Sequence, residues 1–396
     1  MKRKLIALAI TGLISGASFA QSNVTVYGRL DYGFMNRGDG GGALADFGTK
    51  NEFGSGIQSG SRLGFKGAED LGNGWKALFE TEFQLNIDGA DGTTTTATNQ
   101  FWNRHSYIGL TSASYGTFIG GRVDGARYSY TGKYDPFANG TVGNFASIAV
   151  HQTRADNAVA YISPTFGGGF SVLAAYSNNL NGQEHTGTAA KAATAATPFA
   201  LATKAAPSTS SNEGDISLWA LAGMYDNGPI SAVYDHEEAE LDGLDGKLKV
   251  NVLGGSYDFG TIKLSGYWEK VKTEGALAGA LPWDQKAYYV GLTAPLLTNG
   301  KFKMLWGKVD DKLNNAGGDI ALGTCRKFAI GFDYALSKRT NVYTDLAKIT
   351  NEPGATCSIA TSGTGNSLDG SGVGASGVNN TGYGTRGFDI GIAHTF

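Results

Sequence analysis

The side chains that could do chemistry here are charges set at every second position of otherwise apolar segments. Between residues 24 and 34, Val24, Val26, Leu30, Tyr32 and Phe34 share one parity, and Arg29 and Asp31 fall on the other. Between 61 and 68, Leu63 and Phe65 alternate with Arg62 and Lys66; between 154 and 163, Val159 and Tyr161 face one way and leave Arg154 facing the other. Side chains two apart on a strand share a face. These charges therefore collect on a wet surface, where they can attract, repel and orient ions and dipoles. Arg104 fits less cleanly, because its parity also holds Ile108 and Leu110. A bulge would be needed to turn it toward the others.

Covalent and metal chemistry find little footing. No Gly-x-Ser-x-Gly elbow occurs, and the five histidines form no evident triad. Two cysteines are too few for a Cys-only zinc site. Gly372 to Gly377 fits the dinucleotide pattern, but it lies in a Gly/Ser/Asn-rich stretch with neither the strand nor the helix that pattern needs. The run His236 to Glu240 lacks the second histidine of a zinc protease and reads as an exposed acidic loop rim. An enzyme, a cofactor and a bound metal are not expected. The chain carries 32 basic against 35 acidic residues, and a basic field for nucleic acid is missing.

The elements that must position these charges are strands. Sixty glycines in 396 residues disfavour a mainly helical fold, while 41% hydrophobic and 11% aromatic residues are too many for a disordered chain. The first twenty residues combine Lys2, Arg3 and Lys4, an apolar stretch and Ser18-Phe19-Ala20, which reads as a signal peptide. The domain proper is then 21 to 396. Along it, alternating segments of about ten residues are separated by breaks that are short and long in turn. The short ones fall near 71 to 74, 112 to 116, 164 to 168, 226 to 229, 258 to 260, 297 to 300 and 337 to 339. The long ones fall near 36 to 58, 87 to 99, 123 to 152, 179 to 213, 239 to 246, 273 to 284, 311 to 325 and 351 to 385. Sixteen strands result, an even number with both termini at the short-turn end. That is the pattern of an all-β, antiparallel transmembrane β-barrel, and lipid requires such a sheet to close.

Particular segments carry a resemblance. SNVTVYGRLDYG (22 to 33), SRLGFKGAEDLGNGWKALFETE (61 to 82), RHSYIGLTSASYGTFIGGR (104 to 122), RADNAVAYISP (154 to 164) and the terminal RGFDIGIAHTF (386 to 396) resemble the Gram-negative general porins of the betaproteobacterial and neisserial type. The resemblance covers essentially the whole mature chain. It implies a trimeric 16-stranded barrel in the outer membrane, with a third long loop folded into a water-filled channel for passive diffusion of ions and small hydrophilic solutes. It also implies contacts with lipid and lipopolysaccharide, and an assembly machinery that reads the terminal Phe396. Arg62, Arg104 and Arg154 match the family's basic cluster on the barrel wall, with Arg29 and Arg122 as further candidates. Asp124 and Asp135, in the loop 124 to 151, are expected to face them. Three or four arginines against two acids imply mild anion selectivity. A substrate-specific porin and a plugged structural or adhesive barrel are the alternatives. Cys325 and Cys357 flank adjacent strand tops, and an oxidising compartment favours a loop-tying disulfide over two free thiols.

Overall fold

The computed structural model describes residues 23–38, 49–87, 104–149, 153–180, 215–275, 284–315, 318–353, 355, 357–360 and 384–396. The expected signal peptide lies outside them. In chain order the elements are β1 (Asn23–Gly38), β2 (Lys50–Ser55), β3 (Arg62–Gly72), β4 (Trp75–Gln84), β5 (Ser106–Ser112), β6 (Gly116–Asp124), α1 (Ala126–Tyr134), β7 (Arg154–Ile162), β8 (Phe170–Ser177) and β9 (Ile216–Asn227). There follow β10 (Ile230–Leu241), β11 (Leu244–Asp258), β12 (Lys263–Glu274), β13 (Asp284–Leu296), β14 (Gly300–Asn315), β15 (Gly318–Ala335), β16 (Thr340–Asn351) and β17 (Arg386–Thr395).

From β3 onward each strand pairs antiparallel with the next, and β17 returns to β1. The seventeen strands make sixteen staves. Both β2 and β3 pair with β1, through Tyr32↔Ser55 and Arg29↔Arg62, so they are two halves of one stave interrupted at residues 56 to 61. The sheet is thus the closed 16-stranded antiparallel barrel that the spacing predicts. Closure satisfies the edge groups that lipid cannot.

The expected alternation is present. Val24, Val26, Leu30, Ile108, Val159, Leu253 and Val290 are exposed on the outer face, whereas Asp31, Glu82, Glu269 and Lys303 are buried within. Outer aromatics Tyr32, Phe118, Phe170, Tyr176, Trp268 and Trp306 are exposed as well, as lipid-facing side chains of an isolated barrel must be.

Two expected loops are not loops. β10 and β11 run on to a turn at Asp242 and Gly243, and β14 and β15 pair out to Asn315 and Gly318. Polarity misleads at these sites because the ladder continues past the lipid, held by pairs such as Lys247 with Glu238 (2.9 Å) and Glu240 (2.8 Å). The run His236 to Glu240 accordingly belongs to β10, and Glu237 is buried inside the barrel.

Candidate functional site: the interior of the barrel

The third loop fills one side of the interior. After β6 the chain forms α1, then a compact path through Pro136, Phe137, Val142 and a 3₁₀ turn at Phe145–Ser147. This path follows glycines on the inner face. A Cβ on Gly254 would lie 2.7 Å from the Tyr134 ring, on Gly291 2.5 Å from Pro136, on Gly307 2.7 Å from Phe145, and on Gly387 2.9 Å from Val142. Missing side chains on β11, β13, β14 and β17 therefore form a trough that receives the loop's apolar groups. Phe145 packs there against Tyr289 and Tyr267, with ring centroids 4.7 and 6.2 Å apart.

Polar groups lock the loop onto this wall. Tyr289 donates to Thr131 O (2.9 Å), and Lys327 Nζ reaches Asn144 O and Ser147 Oγ, both at 2.5 Å. Asp389 Oδ2 accepts from Val142 N (2.7 Å), and Ile57 O from Thr141 N (2.6 Å). Asp135 is turned inward on the loop itself. Its carboxylate accepts from the backbone N–H groups of Phe137 (2.8 Å), Asn139 (3.3 Å) and Phe145 (3.0 Å). Burial raises its pKa, and these hydrogen bonds oppose the rise.

The remaining sector, from β1 through β7, is basic. Arg62 Nη1 stands 3.6 Å and Arg104 Nε 2.8 Å from Glu82, so two guanidiniums share one carboxylate. Arg154 Nε lies 3.4 Å from Asp124. Arg29 donates to the Gln58 amide oxygen (2.5 Å). Just before β5, His105 contacts Asp124 (3.2 Å) and Glu80 (3.6 Å). Burial disfavours its charged form, but hydrogen bonds to Asp124 and Glu80 and the nearby carboxylates outweigh this and raise its pKa to about 9. Glu80 also accepts from Tyr27 (2.5 Å) and Tyr107 (2.7 Å), and Lys66 lies 5.0 Å over the Tyr27 ring.

The structure thus gathers Arg29, Arg62, Arg104 and Arg154 on one wall. Arg122 stands apart. It pairs across β5 with Ser106, on the face that exposes Ile108, and it forms an ion pair with Asp156. The Arg104 parity conflict resolves because that residue precedes β5, where its side chain can turn in to Glu82.

Both acids depart from the expected facing arrangement. Asp124 ends β6 on the basic wall itself, and Asp135 is buried because the loop's backbone donors needed an acceptor away from water. Sequence parity missed Gln58, His105, Glu80 and Glu82 as members of the wall. The alternation of Glu80 and Glu82 on β4 was the available signal. Glu80, Glu82 and His105 come close enough for a metal, yet the surrounding arginines and the raised His105 pKa oppose a cation there. Cys325 and Cys357 form a disulfide, Cα to Cα 6.2 Å, that ties the start of the last long loop to β15. The adjoining residues Ile359 and Ala360 are buried, and Ala360 O accepts from Asn144 Nδ2 (2.8 Å) on the third loop.

A closed membrane barrel with a loop folded inside and charges around the remaining opening defines a channel-forming outer-membrane protein. Comparison with known proteins identifies which kind. A family model described as Gram-negative porin matches residues 5–355. An outer membrane porin protein of Bordetella pertussis is 31% identical over 389 residues, covering 87% of this chain and 93% of its own. Outer membrane porin protein 32 of Delftia acidovorans is 30% identical over 412 residues and covers the whole of both chains. Among solved structures, the anion-selective porin from Comamonas acidovorans superposes with a TM-score of 0.69 at 25% identity, covering 95% of this chain and 100% of that one. The chain belongs to the Gram-negative porin family. It is a multi-pass outer-membrane β-barrel and a channel rather than an enzyme.

Proposed function

We propose that this porin passes ions and small hydrophilic solutes by diffusion, with a mild preference for anions set by Arg29, Arg62, Arg104 and Arg154. One observation carries this reading. The wall from β1 through β7 sets these four arginines, Lys66 and protonated His105 against the fewer carboxylates Glu80, Glu82 and Asp124, while the third loop turns its one carboxylate, Asp135, into its own backbone. The loop's other charges are occupied or hidden: Lys133 pairs with Asp226 (2.9 Å), and Arg127 is buried. A solute therefore passes between guanidiniums and a loop face of low charge, which lowers the barrier for anions and raises it for cations. The similarity to the anion-selective porin from Comamonas acidovorans supports this reading.

The functional unit is read as a homotrimer seated among lipid and lipopolysaccharide, exported through residues 1 to 20 and recognised for assembly through Phe396. Reversal potentials across a planar bilayer in a KCl gradient test the selectivity. A potential of anion-selective sign is expected, and a clear cation preference would overturn it. Conductance steps in groups of three are expected of a trimer, and single unitary steps would argue against one.

A further inference from the structure

The interrupted stave has a use that follows from where it goes. Between the pairs Arg29↔Arg62 and Tyr32↔Ser55, β1 advances by Leu30 and Asp31, while its partner makes an excursion of six residues, 56 to 61. The excursion starts at Gly56, whose φ of +74° suits glycine, and turns into the barrel. Ile57 is buried, and its carbonyl accepts from the tip of the third loop at Thr141. Asp31 anchors the base by accepting from Ser59 N (2.7 Å) and the Tyr343 hydroxyl (2.7 Å). The Gln58 side chain then reaches three other staves. Its Nε2 donates to Asp333 (3.3 Å) on β15, and its Oε1 accepts from Asn341 Nδ2 (3.1 Å) on β16 and from Arg29 Nη2 (2.5 Å) on β1.

The excursion holds arginines with neutral oxygens. Arg62 donates through Nε to Gly60 O (2.9 Å) and through Nη2 to Ser59 Oγ, in addition to its longer contact with Glu82. Arg29 has Gln58 as its side-chain partner and, among the described residues, no carboxylate within ion-pair distance. Asp31 acts on it only through space. An amide oxygen fixes a guanidinium without cancelling its charge, whereas a carboxylate in the same place would do both.

We propose that the 56–61 excursion is a second constriction element docked on the tip of the third loop, and that Gln58 is a selectivity-determining residue that positions Arg29 without pairing it to a carboxylate. This rests on the anion-selective reading above. The substitution Gln58→Glu keeps the acceptor for Arg29 and adds one negative charge, while Gln58→Ala removes the clamp and adds none. Reversal potentials of the intact porin and both variants in the same KCl gradient separate the two effects. Gln58→Glu is expected to lower the anion-to-cation permeability ratio by about twofold or more, as a unit charge near a passing ion does. Gln58→Ala is expected to stay closer to the parent protein. Equal ratios for the two variants would overturn the proposal.

Should Gln58→Glu not assemble, Gln58→Cys, labelled after assembly with anionic or cationic methanethiosulfonates, gives the same comparison in one folded barrel. Shifts of opposite sign support the proposal, and no shift or a common shift overturns it. A cation preference in the parent protein would instead sink the selectivity reading, and the difference between the variants would still report on Gln58.

Discussion

Asp135 and His105 show how a titratable side chain takes its role from its surroundings. Asp135 satisfies three backbone N–H groups of the third loop where water is excluded. Each donor left unpaired there costs about 1–3 kcal/mol. Asp135→Ala is therefore expected to destabilise the loop by several kcal/mol, with a lower thermal unfolding midpoint and noisier single-channel current. Asp135→Asn keeps one acceptor oxygen and should lose less. An alanine variant as quiet and as stable as the parent would contradict this role. His105 makes a prediction about pH. Its folded pKa, raised to about 9 from an ordinary value near 6.5, keeps it protonated at neutral pH. The stability this charge supplies is fully present below about 6.5 and is lost as pH rises through about 9. Anion preference should fall over the same upper range, and His105→Asn should flatten that part of the reversal-potential profile.

At the scale of elements, the inner-face glycines and the third loop are two parts of one packing. The parity of β14 shows Gly307 beside Leu305 and Lys303 on the inner face, but it does not show why a glycine stands there. The answer is the Phe145 ring, which a Cβ on Gly307 would meet at 2.7 Å. Overpacking of this kind costs about 1–3 kcal/mol. Gly307→Val should push Phe145 off Tyr289 and shift the loop, read as altered unitary conductance with the barrel's circular dichroism retained. Unchanged conductance would mean that the trough does not seat the loop. Glycine at Gly254 and Gly291 has the same purpose for Tyr134 and Pro136. The disulfide acts at this scale too. It closes a separation of 32 residues, worth about 3–4 kcal/mol against the unfolded chain, and holds Ala360 against the third loop. A Cys325→Ser, Cys357→Ser double variant is expected to unfold at lower temperature, and an unchanged midpoint would refute that contribution.

At the scale of the whole molecule, closure depends on the two ends meeting. Gly28 N donates to Phe396 O (3.1 Å), and Phe396 N donates to Gly28 O (3.0 Å). The terminal ring lies over Gly28, where a Cβ would come within 2.4 Å of it and 2.6 Å of Arg62 O. Gly28 shares the parity of Val26 and Leu30, and a larger residue there would displace Phe396, which directly follows the last strand. Gly28→Leu and deletion of Phe396 should both reduce the yield of heat-modifiable folded barrel, and normal yields from both would refute the closure argument. Alternation and turn spacing determined, from sequence alone, the strand number, the closed barrel and the inward faces of Arg29 and Arg62, because these depend on local periodicity and on the demands of lipid. Arg154 lies beyond a register shift of β7 at Asn157, where Ala155 continues the inward face of Ala158, so parity does not place it. The tertiary structure decided the rest. Only it could bury Asp135, set Asp124 on the arginine wall, turn Arg104 in and leave Arg122 out, and fold residues 56 to 61 into the interior. Those outcomes depend on which distant backbone donors, rings and glycines meet once the sheet has closed, and such meetings leave no period in the sequence.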